Sequence, residues 1–378
     1  MHPRRRIPLA RQHGRRRALS VVVLGVFALG ACQDSSVRTR VAASAGEVSR
    51  DAGGPPPDGH VTTDSADARN HSPAVDSTPR PRAAASAASA NGARVPNELG
   101  RIPVLEYHLL GGNESRWKVD TAHFRRTLQL LYDRGYRPIN IADMLDRKID
   151  LPAGLSPVVL VFDDASPSQF RYIERDGKLE VDPNSAVGIL LDFNKQHPDW
   201  KKKAVFCMLP AAAAGHAFFG EKGIDGQKSE WRFKKVRFLA DQGFELCNHT
   251  LYHANLGKQT DERAQEFIAR GQMAIDSAVP GYKVRTFGLP LGVWPKNRPL
   301  AWAGSWTDAK GRTVRYQYEA VLEVAGGPTR SPYDPQFNPR SINRVEAFGQ
   351  EVEKLLDRLD ASGARYVSDG VPSAVARK

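Results

Sequence analysis

The nine residues Pro157-Val158-Val159-Leu160-Val161-Phe162-Asp163-Asp164-Ala165 constrain this chain more than any other stretch. Five consecutive apolar residues, three of them valines, predict a strand buried on both faces, the kind that parallel sheets use. The strand then meets two adjacent carboxylates. Successive side chains on a strand point to opposite faces, so Asp163 and Asp164 can serve one site only where the strand ends and the backbone bends. In α/β barrels and open α/β sheets that end is where sites are assembled. The alternative is a plain Asp-Asp turn, and the rest of the chain has to decide between them.

From residue 101 onward, short apolar strands alternate with amphipathic helices. The pattern predicts strands at 102–108, 157–162, 204–209, 244–248, 284–289, 320–324 and 365–367. Helices are expected at 122–134, 141–147, 186–196, 229–242, 261–278 and 345–361. Seven principal strands without an internal repeat argue for an α/β fold with a parallel barrel or sheet. Residues 170–181 read as a hairpin turned at Asp176-Gly177, which either shapes substrate access or decorates the surface.

The chain does not begin as a domain. Seven arginines and no acid within the first 17 residues precede the short apolar run 21–28, which is too short to span a bilayer and reads as the core of an export signal. The run ends in Leu29-Gly30-Ala31-Cys32, similar to a bacterial lipobox, so residues 1–32 are expected to be a lipoprotein signal with Cys32 lipidated. An ordinary cleaved signal is the alternative, and Arg15-Arg16-Arg17 leaves twin-arginine export open. Residues 33–98 are rich in Ala, Ser, Pro and Gly and nearly devoid of large apolar side chains. They predict a flexible tether with a random-coil reach on the order of 40–50 Å. Residues 99–378 are the folded domain. Of the formal charge of +12, seven units lie in the signal. No basic stripe interleaved with aromatics remains, and no nucleic-acid partner is expected. Cys207 and Cys247 each fall late in a predicted strand; a bridge and a pair of buried free thiols are both compatible with that placement.

The strand at 244–248 ends in His249-Thr250-Leu251-Tyr252-His253. If that stretch is a helical turn, the two imidazoles face the same way and can hold one metal ion. Two histidines and one carboxylate make the open pattern of catalytic zinc; the alternative is a solvated turn. Leu291, in the Gly/Pro-bounded loop 288–292, offers a backbone N–H for a developing oxyanion. His108 closes the first strand. Adjacent aspartates suit a glycosidase poorly, since its paired carboxyls sit about 5–9.5 Å apart across the bond.

Together these residues resemble the polysaccharide deacetylase family, carbohydrate esterases with a NodB-like homology domain. Asp163-Asp164 matches its first motif, with Ala165 where Gly is usual. His249-Thr250 to His253 matches its metal motif, and Pro290-Leu291-Gly292 its oxyanion loop. The opening 103–108 looks like the subgroup whose general-acid histidine precedes the Asp pair. The resemblance implies a distorted (β/α)7-type barrel with a hairpin-containing insertion. It implies a divalent ion, zinc above others, on Asp164, His249 and His253, with Asp163 as general base, Leu291 at the oxyanion and His108 as general acid. The implied substrate is an N-acetylated polysaccharide or oligosaccharide. Two departures stand out. Gly288 replaces the family's arginine, leaving Arg285, Arg340 or Arg344 as partner for Asp163. The C-terminal histidine is replaced by the stretch 366–370. They motivate an alternative, a lipid-anchored glycan-binding or scaffold protein with a degenerate site. Trp231, Trp294, Trp302 and Trp306 are candidates for lining a sugar groove or for packing.

Overall fold

Seven parallel strands pair in chain order and close on themselves. In the computed structural model, which describes residues 94–211 and 218–371, they are β1 (Val104–Tyr107), β2 (Ser156–Phe162), β3 (Val205–Met208), β4 (Glu245–Asn248), β5 (Thr286–Gly288), β6 (Ala320–Gly326) and β7 (Ile342–Glu346). Each neighbour pair is parallel, and β7 returns to β1 through Val345 beside Leu105, completing a seven-stranded barrel. Closure leaves the seven barrel strands without an open edge among themselves. The lipobox with Cys32 and the tether up to residue 93 lie outside the described residues. Asn97 pairs through its backbone with Val367. No helix among the described residues is long and apolar enough to cross a membrane.

The alternation of each strand sorts its side chains into two cores. Val104, Val159, Val161, Val205, Cys207, Cys247, Leu322 and Ile342 pack in one buried cluster, which fills the barrel. Leu105, Tyr107, Leu160, Phe162, Phe206, Leu246, Phe287 and Val321 take the opposite faces and pack in the second cluster with the helices. Those helices are α1 (Thr121–Asp133), α2 (Ile141–Leu145), α3 (Ala186–Gln196), α4 (Arg232–Asp241), α5 (Asp261–Ala278) and α6 (Glu351–Ala361). Local chemistry sets their starts: Asp120 caps α1, Ser185 caps α3 and Thr260 caps α5, each accepting from first-turn backbone N–H groups.

The structure departs from the sequence expectation in the last quarter. The seventh barrel strand is β7, not 365–367, which forms only isolated bridges, Arg365 to Arg101 and Val367 to Asn97. The helix expected from residue 345 starts at Glu351. The physical reason is the segment Ile342-Asn343-Arg344-Val345-Glu346, which alternates correctly for a strand but turns an arginine into the barrel. Among the elements that join the set are Tyr136–Pro138, which pairs with the start of β2, and an antiparallel hairpin, Ala303–Thr307 with Thr313–Gln317, within the irregular stretch before β6. The hairpin Tyr172–Arg175 with Lys178–Val181 forms as expected. Cys207 and Cys247 are register partners on β3 and β4 and are disulfide-bonded.

Candidate functional site

At the C-terminal end of the barrel the inward-facing positions change from apolar to charged. Glu106 follows Val104 by two residues, Asp163 follows Val161, His249 follows Cys247, and Arg344 follows Ile342, so the two-residue repeat aims all four inward. All four are buried. Glu106, Asp163 and His249 line a cavity of about 390 Å³, on which His108, Asp164, His253 and Leu291 also open, while Arg344 contacts two of them, Glu106 and Asp163.

Asp164 reaches the same mouth because the chain bends at once after β2. Its φ is 78° and that of Ala165 is 48°, both left-handed. Thr250 (66°), His253 (55°) and Leu291 (58°) share that conformation, so three loops of the site hold non-glycine residues where such residues are uncommon. His249 and His253 therefore converge through a left-handed turn rather than the helical turn expected from their spacing. Their ring centroids lie 4.9 Å apart. Asn248 supports the turn from below: its side-chain oxygen accepts from Thr250 N–H at 2.9 Å, and its amide donates to Ile268 O and to Tyr318 Oη.

The donor set fits a divalent cation. Asp164 Oδ1 lies 3.5 Å from His249 Nε2 and 3.5 Å from His253 Nε2. Asp164 Oδ1 and His249 Nε2 are buried without a hydrogen-bond partner, an arrangement that costs free energy unless a cation lies between them. His249 donates from Nδ1 to Gly288 O at 2.9 Å, which leaves the Nε2 lone pair directed at Asp164. Glycine at 288 leaves this contact unhindered: a Cβ there would lie 3.1 Å from His249 Nδ1 and 3.2 Å from Cys207 Sγ, close enough that one of them would have to shift. The His249 side chain is 1% exposed and that of His253 27%, so the group is closed toward the barrel and open toward solvent.

Electrostatics separate the residues. Burial alone would raise Asp163, but the Arg344 guanidinium and the His249 imidazole outweigh it and hold its carboxyl below the usual range. Burial likewise works against Asp164, which the close His249 imidazole, followed by that of His253, holds well below that range. Burial, followed by the neighbouring His249, pushes His253 down to about 4. Burial also lowers His108, against the pull of the two aspartates.

The partner of Asp163 is Arg344, whose Nη1 donates to Oδ1 at 3.0 Å and Oδ2 at 2.9 Å. Arg285 instead pairs with Glu319 and Asp146, far along the chain from the mouth, and Arg340 lies over the Trp302 ring. His108 lies edge-on to Trp117, with ring centroids 4.9 Å apart, and Trp117 is 43% exposed on the cavity wall. Trp231, Trp294, Trp302 and Trp306 pack elsewhere; none lines this cavity. Three further residues belong to the site. Glu106 lies 3.5 Å from His108 Nε2, and Gln169 donates to both His108 O and Asp163 O, tying the ends of β1 and β2 together. Trp117 is the third. A charge in inward parity on each of β1 and β7 was the available signal for Glu106 and Arg344.

The polysaccharide deacetylase family model matches residues 187–303, a stretch that holds His249, His253 and Leu291 and begins after the Asp pair. No curated protein sequence matches significantly. Among solved structures, the chain is similar to the Streptococcus pyogenes deacetylase PplD in complex with acetate, at 17% identity and a TM-score of 0.48, over 68% of this chain and 97% of that one. It is also similar to IcaB from Ammonifex degensii, at 17% identity and 0.46, over 68% and 96%. A de-N-acetylase from Aggregatibacter actinomycetemcomitans matches at 15% identity and 0.42, over 68% and 99%.

Proposed function

We propose that this chain, whose residues 187–303 match the polysaccharide deacetylase family, is a metal-dependent hydrolase that removes N-acetyl groups from an envelope or extracellular polysaccharide. The observation that carries the reading is the convergence of Asp164, His249 and His253 on one point beside the Asp163–Arg344 pair. A divalent cation, zinc by its preference for two imidazoles and a carboxylate, would polarise the acetamide carbonyl and acidify the attacking water.

The chain's own residues do the rest. Asp163, kept ionised by Arg344, takes the proton from the water. Leu291, which lines the cavity with left-handed backbone, would offer its N–H to the developing oxyanion. His108, at the end of β1, protonates the departing nitrogen. Glu106 and Trp117 flank that imidazole, and Gln169 holds the His108 backbone carbonyl. The alternative of a degenerate, glycan-binding site drew on the absence of an arginine near the motif proline and of the C-terminal histidine; Arg344 on β7 pairs with Asp163, and in this reading His108 takes the acid role.

The chain is exported and tethered through lipidated Cys32 in this reading, with an N-acetylated glycan as its substrate and no nucleic-acid partner. The deciding experiment incubates metal-reconstituted protein with a panel of N-acetylated glycan oligomers and measures released acetate. Absence of acetate release from every member would overturn the assignment.

A further inference from the structure

The opposite end of the barrel holds a second cavity, of about 660 Å³. The segments that line it fix its position. Arg137 and Pro138 pair with the start of β2, Leu155 directly precedes that strand, and Lys203 and Gly243 come two residues before β3 and β4. The cavity therefore opens at the N-terminal ends of the strands, away from Asp164, His249 and His253.

Its lining divides by exposure. Ile139, Leu151 and Leu155 are buried and apolar, whereas Lys148, Lys201 and Lys202 are exposed. The turn out of α3 brings two of these lysines there. Trp200 is 1% exposed, and its carbonyl accepts from the Asn194 amide at 2.6 Å, so the chain is pinned where Lys201 and Lys202 follow. Lys148 arrives separately, on the loop after α2.

Five cations and two acids line the cavity. Arg137 takes Asp199 at 2.7 Å, and Lys203 pairs with Asp143 at 2.6 Å. Lys202 donates to the Gln242 side chain. Among the described residues, Lys148, Lys201 and Lys202 are left without a carboxylate at ion-pair distance, against one lining acid in the same position, Asp150. This end of the barrel presents surplus positive charge beside an apolar hollow.

The chain also enters the folded domain here. Asn97 N–H donates to Val367 O at 2.8 Å, and the next residue, Ser368, is bonded to the cavity wall. Its N–H donates to Leu155 O at 2.9 Å and its hydroxyl to Leu151 O at 2.8 Å. The segment read above as a tether thus reaches the domain at the end that carries the lysines.

We propose that this end of the barrel docks on the anionic phospholipid headgroups of the membrane that holds the chain, with Lys148, Lys201 and Lys202 against the lipid phosphates and the catalytic mouth directed away from the bilayer. The source of the lipid rests on the tethered reading above. Lysine suits this partner: a compact point charge on a flexible stem follows a field of mobile headgroups, whereas one fixed phosphate favours the planar fork of arginine. Each lysine close to an anionic surface strengthens binding by about 5-fold, so three give only a weak contact in free solution. A flexible tether raises the effective concentration to the order of millimolar, at which a weak contact is populated.

The test uses the chain from Gln33 to Lys378, which contains every described residue and lacks both the arginine-rich leader and any lipid. Co-sedimentation is measured with vesicles of equimolar phosphatidylglycerol and phosphatidylcholine, and with phosphatidylcholine alone. At low salt, partitioning onto the anionic vesicles should be stronger by about 30-fold or more, and about 0.5 M sodium chloride should abolish the difference. Lys148→Gln, Lys201→Gln and Lys202→Gln should each weaken it about 5-fold and together bring it to the level of neutral vesicles. Removing the same charge at Lys178, Lys310 and Lys354, which are exposed and outside the cavity lining, should change it by less than about 3-fold. Thermal unfolding and glycan turnover in solution should be unaltered in both triple variants. Absence of binding, equal binding to both vesicles, or equal losses in the two triple variants would overturn the docking surface. Displacement by inorganic phosphate at matched ionic strength would overturn it too, in favour of a discrete phosphate site. The anchor is read separately, from Cys32→Ala in the full chain. Lysine-dependent vesicle binding in a chain whose Cys32 proves unlipidated would sink the tethered reading and sustain the docking surface.

Discussion

Arg344 spans the barrel interior from β7 to chelate Asp163 at the end of β2, with Nη1 at 3.0 Å and 2.9 Å from the two carboxylate oxygens. The side chains are 0% and 1% exposed, so no water compensates if either partner is removed. Arg344→Met is therefore expected to destabilise the fold by about 3–5 kcal/mol, the cost of stranding a buried charge. Arg344→Lys should fall between, since an ammonium keeps the charge without the two-pronged geometry. Urea unfolding measures both, and a Met variant as stable as wild type would contradict the pairing.

The proposed three-ligand metal site leaves little redundancy. His253→Ala removes one of two imidazoles, and the purified variant is expected to lose its divalent ion on dialysis, as read by elemental analysis. Retention of one ion per chain would show that His253 is no ligand.

Gly288→Ala places a methyl group 3.1 Å from His249 Nδ1 and 3.2 Å from Cys207 Sγ. Neither neighbour yields easily, because the ring is held by its bond to Gly288 O and the sulfur by its disulfide. Metal affinity should fall about 10–100-fold, as when a ligand's supporting contact is disturbed, and stability by roughly 1–3 kcal/mol from overpacking. A competitive chelator titration reads the first and thermal unfolding the second.

Far from the site, Lys235 on α4 is fully buried, with Nζ donating to Phe219 O at 2.7 Å. Burial, with a smaller contribution from Arg171, lowers it to about 7, against 10.5 for a free lysine. Between those values the unfolded chain binds more protons than the folded one, so stability rises with pH across that window. The contribution of Lys235 to the slope approaches about 1.4 kcal/mol per pH unit and vanishes below the folded value. Denaturant midpoints between pH 7 and 10 should therefore climb more steeply in wild type than in Lys235→Met.

For the proposed anchor, Cys32→Ala should move the protein from the detergent phase to the aqueous phase on partitioning. A variant that stays in the membrane fraction would refute lipidation at Cys32.

What was legible in the sequence follows from how each element signals itself. Helices α3 and α5 form at 186–196 and 261–278, the bounds that periodicity predicts, with Ser185 and Thr260 capping them in the structure. The valine run of β2 and the Asp pair at its end are equally plain. Segment Ile342–Glu346 is not: an inward arginine in a half-polar strand looks like a solvent face, and only its pairing with Leu322 and Leu105 on the flanking strands makes it barrel wall. Glu106 is obscured for the same reason. Each charge is tolerable inside because the other and Asp163 are there, and that dependence joins residues about 180 to 240 positions apart. Local periodicity does not register it. Asp163, Asp164, His249 and His253 were legible because short spacing and strand ends mark them.

The carboxamide of Gln169 grips the carbonyls of His108 and Asp163 before the chain leaves for the hairpin Tyr172–Val181. The spacing between the ends of β1 and β2 is thereby settled upstream of everything the hairpin does. A lineage carrying this clamp can lengthen, trim or exchange that hairpin without shifting the two strand ends, which makes the excursion a segment free to vary in length.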